Sequence, residues 1–184
     1  MDNPHEFASV AVRIIKEKLT DQLVNGIKYE KIDEYYEMCQ FETSIQSWED
    51  NLIRAERSLY DHVIYDSEVE RNFVEGLEDQ NEVKLYVKLP AFFKVPTPIG
   101  SYNPDWAIVF ERHDEFGKPT GEETLYLVRE TKDTTNLDDL RPDEKRKIDC
   151  GRRHFEDALG VDYEVVNDPY DLRINYENVS LKKV

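Results

Sequence analysis

Glycine is scarce in this chain of 184 residues, seven in all, and none stands in a GxGxxG or GxxxxGK[ST] arrangement. A nucleotide-cradling loop is thereby excluded, because such loops need glycines where the backbone approaches phosphate. Cysteine numbers two, Cys39 and Cys150, with no CxxC. That excludes a disulfide framework and a zinc finger and fits a reducing, cytoplasmic setting. No window approaches 18 uncharged apolar residues, and the start MDNPHEF lacks a basic segment followed by an apolar run. A membrane span and a secretory signal are not expected. His5, His62, His113 and His154 are scattered, with no HxH, HExxH or GxSxG elbow; those metal and nucleophile patterns are out.

Negative charge is abundant. The chain carries 24 Lys and Arg against 40 Asp and Glu, a net of −16, with mean hydropathy −0.72. Phosphate contacts need cations, so this balance argues against a free-standing nucleic-acid binder. The distribution is uneven, however. Residues 141–153 hold Arg141, Lys145, Arg146, Lys147, Arg152 and Arg153 against three acids, and such a local surface can differ in sign from the whole. Hydrophobic residues reach 39% and aromatics 11%, enough to bury a core. The length suits one domain of about 150 residues with some to spare.

Along the chain, residues 6–25 read as an amphipathic helix, with Phe7, Val10, Ala11, Ile14, Ile15 and Leu19 at helical spacing and Gly26 as a stop. Residues 28–60 are polar, Tyr-rich and weakly helical in pattern. A firmer helix starts at Ser67, with Val69, Phe73, Gly76 and Leu77 on one stripe. Strands are predicted at 83–89, 105–111, 123–132 and 162–166. The segment 90–104 holds four prolines and reads as loop or edge structure. A helix is predicted near 141–159, between Pro142 and Gly160. The fold expected is α/β, a mixed central sheet flanked by helices. Residues 1–60 form a helical extension or connector, and 61–184 the main domain.

Chemistry is left to carboxylates. Asp105 opens one strand and Glu130 and Lys132 close another. Residues two apart on a strand share a face, about 6.5–7 Å along it, so Glu130 and Lys132 project together. Hairpin pairing of the two strands brings Asp105 beside Glu130. Oxygen ligands of this kind suit Mg²⁺, with Mn²⁺ as a substitute, which binds one or two carboxylates plus substrate phosphate. The lysine would stabilise charge on the attacked phosphate or lower the pKa of a bound water. The bland alternative is a solvated strand end carrying a cross-strand ion pair. Trp106, Ile108 and Phe110 alternate with Ala107 and Val109, so both strands read as buried on two faces.

DSEVERNF (66–73), KLPAFFKVPTPIGSYNPDWAIV (88–109), LYLVRETKD (125–133) and DLRPDEKRKIDCGRRHF (139–155) resemble the C-terminal endonuclease region of the Res subunit of type III restriction–modification enzymes. The resemblance spans roughly 60–170 and places the chain in the PD-(D/E)xK nuclease superfamily. It implies a restriction-endonuclease-like core that hydrolyses DNA phosphodiesters. Asp105 and Glu130 would be the metal-binding carboxylates and Lys132 the catalytic lysine. Family members usually follow that lysine with a small residue, where this chain has Asp133; the departure adds charge near the site. A full Res subunit carries an ATP-driven helicase motor ahead of this region, and this chain has no P-loop. An excised fragment or a stand-alone relative is the expectation, with double-stranded DNA, the helicase region and a methyltransferase (Mod) subunit as partners.

Glu70 has two readings. Such nucleases often place a third acid, catalytic and metal-binding, on the helix before the sheet. Alternatively, Ser67 and Glu70 make a capping box in which Glu70 bonds the Ser67 backbone N–H. At roughly 100° per residue Glu70 lies about 75° from the apolar stripe and Glu68 about 125°, so Glu70 alone reaches the sheet edge. Lys145, Lys147, Arg152 and Arg153 are DNA-contact candidates, against a solvated helix face. His154 and Cys150 are expected at the helix–sheet seam, and Tyr102 and Asn103 to shape the strand entry. Trp48, Tyr35 and Tyr36 are expected in a core or on a motor-facing surface. Two rival functions are an inactive, nuclease-like assembly or DNA-binding module and an acidic adaptor or DNA mimic.

Overall fold

Alternation of large apolar residues along Trp106, Ile108 and Phe110 produces the central strand of the domain. A computed structural model of the chain describes residues 4–32, 51–111, 113, 116, 118–120 and 125–172. In chain order these form α1 (Pro4–Gly26), β1 (Leu52–Arg54), β2 (His62–Ile64), α2 (Glu68–Asp79), β3 (Val83–Lys88), β4 (Val95–Thr97), β5 (Gly100–Tyr102), β6 (Trp106–Phe110), β7 (Leu125–Thr131), α3 (Pro142–Arg152) and β8 (Asp162–Val166). The main sheet has the order β3-β6-β7-β8. Its first two pairings are antiparallel and the β7–β8 pairing is parallel. A parallel pair needs a crossover, and α3 with the widened helical turn Arg153–Leu159 supplies it. Gly160, at φ 67°, ends that turn in the left-handed conformation a glycine adopts without strain. The fold is mixed α/β, a mixed sheet flanked by helices.

Side chains alternate across the strands, so each sheet face gathers its own core. On one face Phe73, Val74 and Leu77 of α2 pack with Tyr86, Trp106, Ile108, Phe110, Leu127 and Val166. On the other, Ile148 of α3 and Phe155 pack with Val128, Tyr163, Val165, Val95 and Tyr102. Burial on two faces is uneven along the central strands. Ala107 and Val109 are half-buried and Tyr126 is 65% exposed, whereas Val128 and Glu130 are buried. The fully covered end is the one that carries the acids.

Elsewhere the sequence pattern and the structure part. α1 forms, but its apolar residues face outward: Phe7 is 63% exposed and Ile15 58%, and only Val24 is buried. Its end joins the sheet domain through the buried Val24, the Tyr29 ring packed on the core, and polar contacts. Arg146 of α3 donates to Asp21 at 2.7 Å, and the Tyr29 hydroxyl, just beyond the helix, donates to the Pro96 carbonyl at 2.8 Å. Residues 27–32 are not helical, and β1 pairs antiparallel with β2. The segment after β1 is locked down by Arg57, whose guanidinium donates to the Glu78 and Val83 carbonyls and to Asn81. The Glu78 carboxylate in return accepts from the Glu56 and Arg57 amides and the Tyr86 hydroxyl. Within the proline-rich 90–104 segment, β4 and β5 form a small antiparallel pair. Tyr35, Tyr36, Cys39 and Trp48 lie outside the described residues.

Candidate active site

The β6–β7 register pairs Trp106 with Arg129. Extended by one residue, it sets Asp105 across from Glu130 on the face toward α3. Asp105 is fixed by Thr131, whose backbone N–H and hydroxyl each donate to its Oδ2 at 2.8 Å. The Trp106 indole N–H donates to the same hydroxyl at 3.2 Å, pinning it from the other core. The second oxygen of Asp105, Oδ1, has no hydrogen-bond partner among the described residues.

Glu130 is 5% exposed. Its Oε1 lies 2.8 Å from the Lys132 ammonium, and its Oε2 accepts from the Tyr102 hydroxyl at 2.6 Å. The Tyr102 and Tyr163 hydroxyls are themselves 2.6 Å apart. Burial and then the Asp105 charge push the Glu130 carboxyl up from 4.5 to about 7, against the pull of Lys132 and Tyr102. Burial likewise raises Asp105, opposed by its Thr131 hydrogen bonds and Lys132, with Glu70 adding a further upward push. Burial alone would lower the Lys132 ammonium. The charge and hydrogen bond of Glu130, then the charges of Asp105 and Glu144, hold it above its ordinary value. Two acids are thus crowded together at a cost, with Lys132 paired to one of them and its charge felt by the other. Perturbed pairs of this kind cluster at functional sites.

Glu70 reaches the same sheet end from α2, and Glu68 does not: their side chains are 13% and 76% exposed. Ser67 caps the helix by accepting from the Glu70 amide at 3.2 Å. The reciprocal half of the expected box is displaced by one residue, because the Glu70 carboxylate accepts from the Asp66 N–H at 2.8 Å. The same oxygen lies 2.7 Å from the Lys88 ammonium, which also meets Asp66 at 2.6 Å and stands 6.0 Å from the Trp106 ring centroid. Among the described residues no three His, Cys, Asp or Glu side chains gather closely enough to hold an ion. Asp105 and Glu130 are brought together; Glu70 is near them but engaged elsewhere.

The cationic residues of α3 and the following turn are partly spent on neighbouring acids. Lys145 is 2.5 Å from Asp138, Arg146 pairs with Asp21 and Asp143, and Arg152 is 3.7 Å from Glu164. Lys147 and Arg153 make no ion pair among the described residues. Cys150 is buried, and His154 packs edge-on against Tyr29 and Phe155, as the seam reading expects.

Sequence reasoning passes over Thr131, Tyr163 and Lys88 and gives Tyr102 a different role. Its neighbours place Tyr102 at the strand entry, and from there its hydroxyl ends on Glu130. The sequence offers only a tyrosine three residues before Asp105 and another near the start of the last strand, where the parallel register sets Tyr163 beside Val128.

A mixed sheet with helices on both faces, and two acids and a lysine at one covered end, is a restriction-endonuclease-like α/β domain. The model for the family described as an endonuclease domain matches residues 56–169, and the chain belongs to that family. It is 37% identical over 99 residues to the Res subunit of the type III restriction-modification enzyme EcoP15I from Escherichia coli, and 36% identical over 99 residues to the EcoPI Res subunit of Escherichia phage P1. Each alignment covers 53% of this chain and 9% of the relative, so the chain spans only a small part of the relatives' length. No solved structure matches it. Among the described residues no helix is long and apolar enough to cross a membrane.

Proposed function

We propose that this endonuclease domain hydrolyses DNA phosphodiester bonds at the sheet end formed by Asp105, Glu130 and Lys132, with Mg²⁺ as its cofactor. The observation that carries this reading is the β6–β7 register, which sets the half-buried Asp105 across from the buried Glu130, with Lys132 2.8 Å from Glu130. The donor set fits the ion: two hard carboxylates, one with an oxygen that no described residue hydrogen-bonds, leave room for water and phosphate ligands. Asp105 and Glu130 would hold it, and when bound it would activate a water and neutralise charge on the attacked phosphate. Asp105 is pre-aimed by Thr131, so little rotamer freedom is lost on binding. Lys132, anchored by Glu130, is placed to stabilise the developing negative charge. Glu70 assists from the rim, holding Lys88 and adding negative charge near Asp105; to act as a third metal ligand it would exchange Lys88 for the ion.

Lys147 and Arg153, with Lys145 and Arg152, are proposed DNA-phosphate contacts. In the same reading a helicase region and a Mod partner, as the resemblance implies, would provide most of the DNA grip that a chain of −16 lacks. The chain alone is then expected to nick plasmid DNA slowly, at low salt and high divalent metal. Asp105→Asn and Lys132→Ala should each abolish that nicking. Nicking that survives in both variants would refute the site.

A further inference from the structure

Glu130 is held by a second group besides its lysine, one that reaches it from outside the two strands bearing the acids. Tyr102 ends β5, outside the main sheet, and is 4% exposed. Its hydroxyl donates to Glu130 Oε2 at 2.6 Å and meets the Tyr163 hydroxyl of β8 at 2.6 Å. Tyr163 is fully buried, and its ring meets that of Tyr102 edge-on with centroids 6.4 Å apart. The helix above has been cleared for this pair. A Cβ placed on Gly151 of α3 would fall 2.6 Å from Tyr102 Cε1 and 3.2 Å from Tyr163 Cζ. The first distance is closer than carbon atoms approach without displacement, so glycine at 151 is what lets the Tyr102 ring lie where its hydroxyl meets Glu130.

We propose that Tyr102, backed by Tyr163 and accommodated by Gly151, is a positioning residue that fixes the Glu130 carboxylate for metal binding. The inference rests on the reading of Glu130 as a metal ligand and extends it to a residue outside the Asp–Glu–Lys set. Lys132 and Tyr102 take one oxygen each, so the carboxylate plane is held at both corners and its orientation toward Asp105 is set before any ion arrives. Partners of this kind, which hydrogen-bond a ligating carboxylate, typically contribute about 10–100-fold to metal affinity. Tyr102→Phe deletes only the hydroxyl and keeps the ring that fills the space beneath Gly151.

The test is calorimetric titration of the full chain with Mn²⁺, paired with thermal unfolding in the absence of metal. Four proteins are compared: the wild type, Tyr102→Phe, Glu130→Gln and the double variant. The expected result is an affinity about tenfold weaker in Tyr102→Phe and no further loss when that change is added to Glu130→Gln. A structural role alone would not vanish in the Glu130→Gln background. If Glu130→Gln weakens Mn²⁺ binding but Tyr102→Phe does not, this inference falls and the site reading stands. If Glu130→Gln itself leaves affinity unchanged, both fall. Should Tyr102→Phe fail to fold, Tyr163→Phe carries the test. It withdraws the backing hydroxyl alone and should weaken Mn²⁺ binding about threefold; unchanged affinity there would overturn the proposal.

Discussion

Replacing Glu130 with Gln should stabilise the metal-free domain at alkaline pH and do much less in acid. The folded-state carboxyl sits at about 7 against an ordinary 4.5, raised by burial and by Asp105. A group whose pKa is raised on folding favours the folded state fully below its unfolded value, and that benefit is lost as the pH climbs through the folded one. At about 1.36 kcal/mol per pH unit, the fully ionised Glu130 costs the folded state about 3 kcal/mol. Most of that cost develops between pH 5 and 8. An amide keeps the shape but cannot ionise, so across this window the wild type should lose about 2–3 kcal/mol relative to Glu130→Gln. Part of the gain at pH 8 is offset because Lys132 loses its 2.8 Å partner. The pH dependence of the difference is therefore the diagnostic quantity. Urea unfolding of both proteins at pH 5 and pH 8, without divalent metal, measures it. Added Mn²⁺ at pH 8 should then raise the stability of the wild type selectively, by about 2.7 kcal/mol at a hundredfold excess over the Kd. Parallel pH profiles in the two proteins would refute the claim that this acid is held at a cost.

Glu70→Gln keeps an acceptor for the Asp66 N–H and should change stability by under about 1 kcal/mol, with cleavage reduced; cleavage at the wild-type rate with unchanged stability would remove Glu70 from the site. Arg129 is fully buried, 2.6 Å from the Asp162 carboxylate, and donates to the Leu172 carbonyl. Arg129→Met should cost about 3–5 kcal/mol by chemical denaturation, the usual penalty for breaking a buried pair from one side. In a complex with a complete Res motor and its methyltransferase, Lys132→Ala should abolish DNA cleavage and leave ATP hydrolysis intact, as followed by gel and phosphate-release assays.

The strands were legible because their periods are local. The apolar alternation at 106–110 and the compact DYEVV segment each identify a strand with no knowledge of its partners, and the structure places strands at both. That Asp105 and Glu130 face one another was legible for the same reason, since the pairing of two adjacent strands sets them opposite. β1 was not: three residues are too short to show a period, and its pairing with β2 is settled only by the fold. Helical spacing in α1 reported that a helix forms but not what it packs on, and its apolar residues turn out exposed. Tyr102 and Tyr163 lie 28 residues before and 33 after Glu130, and no local pattern links them. The capping box failed by one residue because Lys88, from another strand, draws the Glu70 carboxylate toward itself and Asp66.

The central claim is that Asp105 and Glu130 hold a divalent metal at the end of the β6–β7 pair. Anomalous diffraction from a crystal grown with Mn²⁺ tests it most directly. The account predicts a manganese peak in contact with both carboxylates, lost in Asp105→Asn. A peak confined to other acids of this chain, or one unchanged in Asp105→Asn, would contradict it.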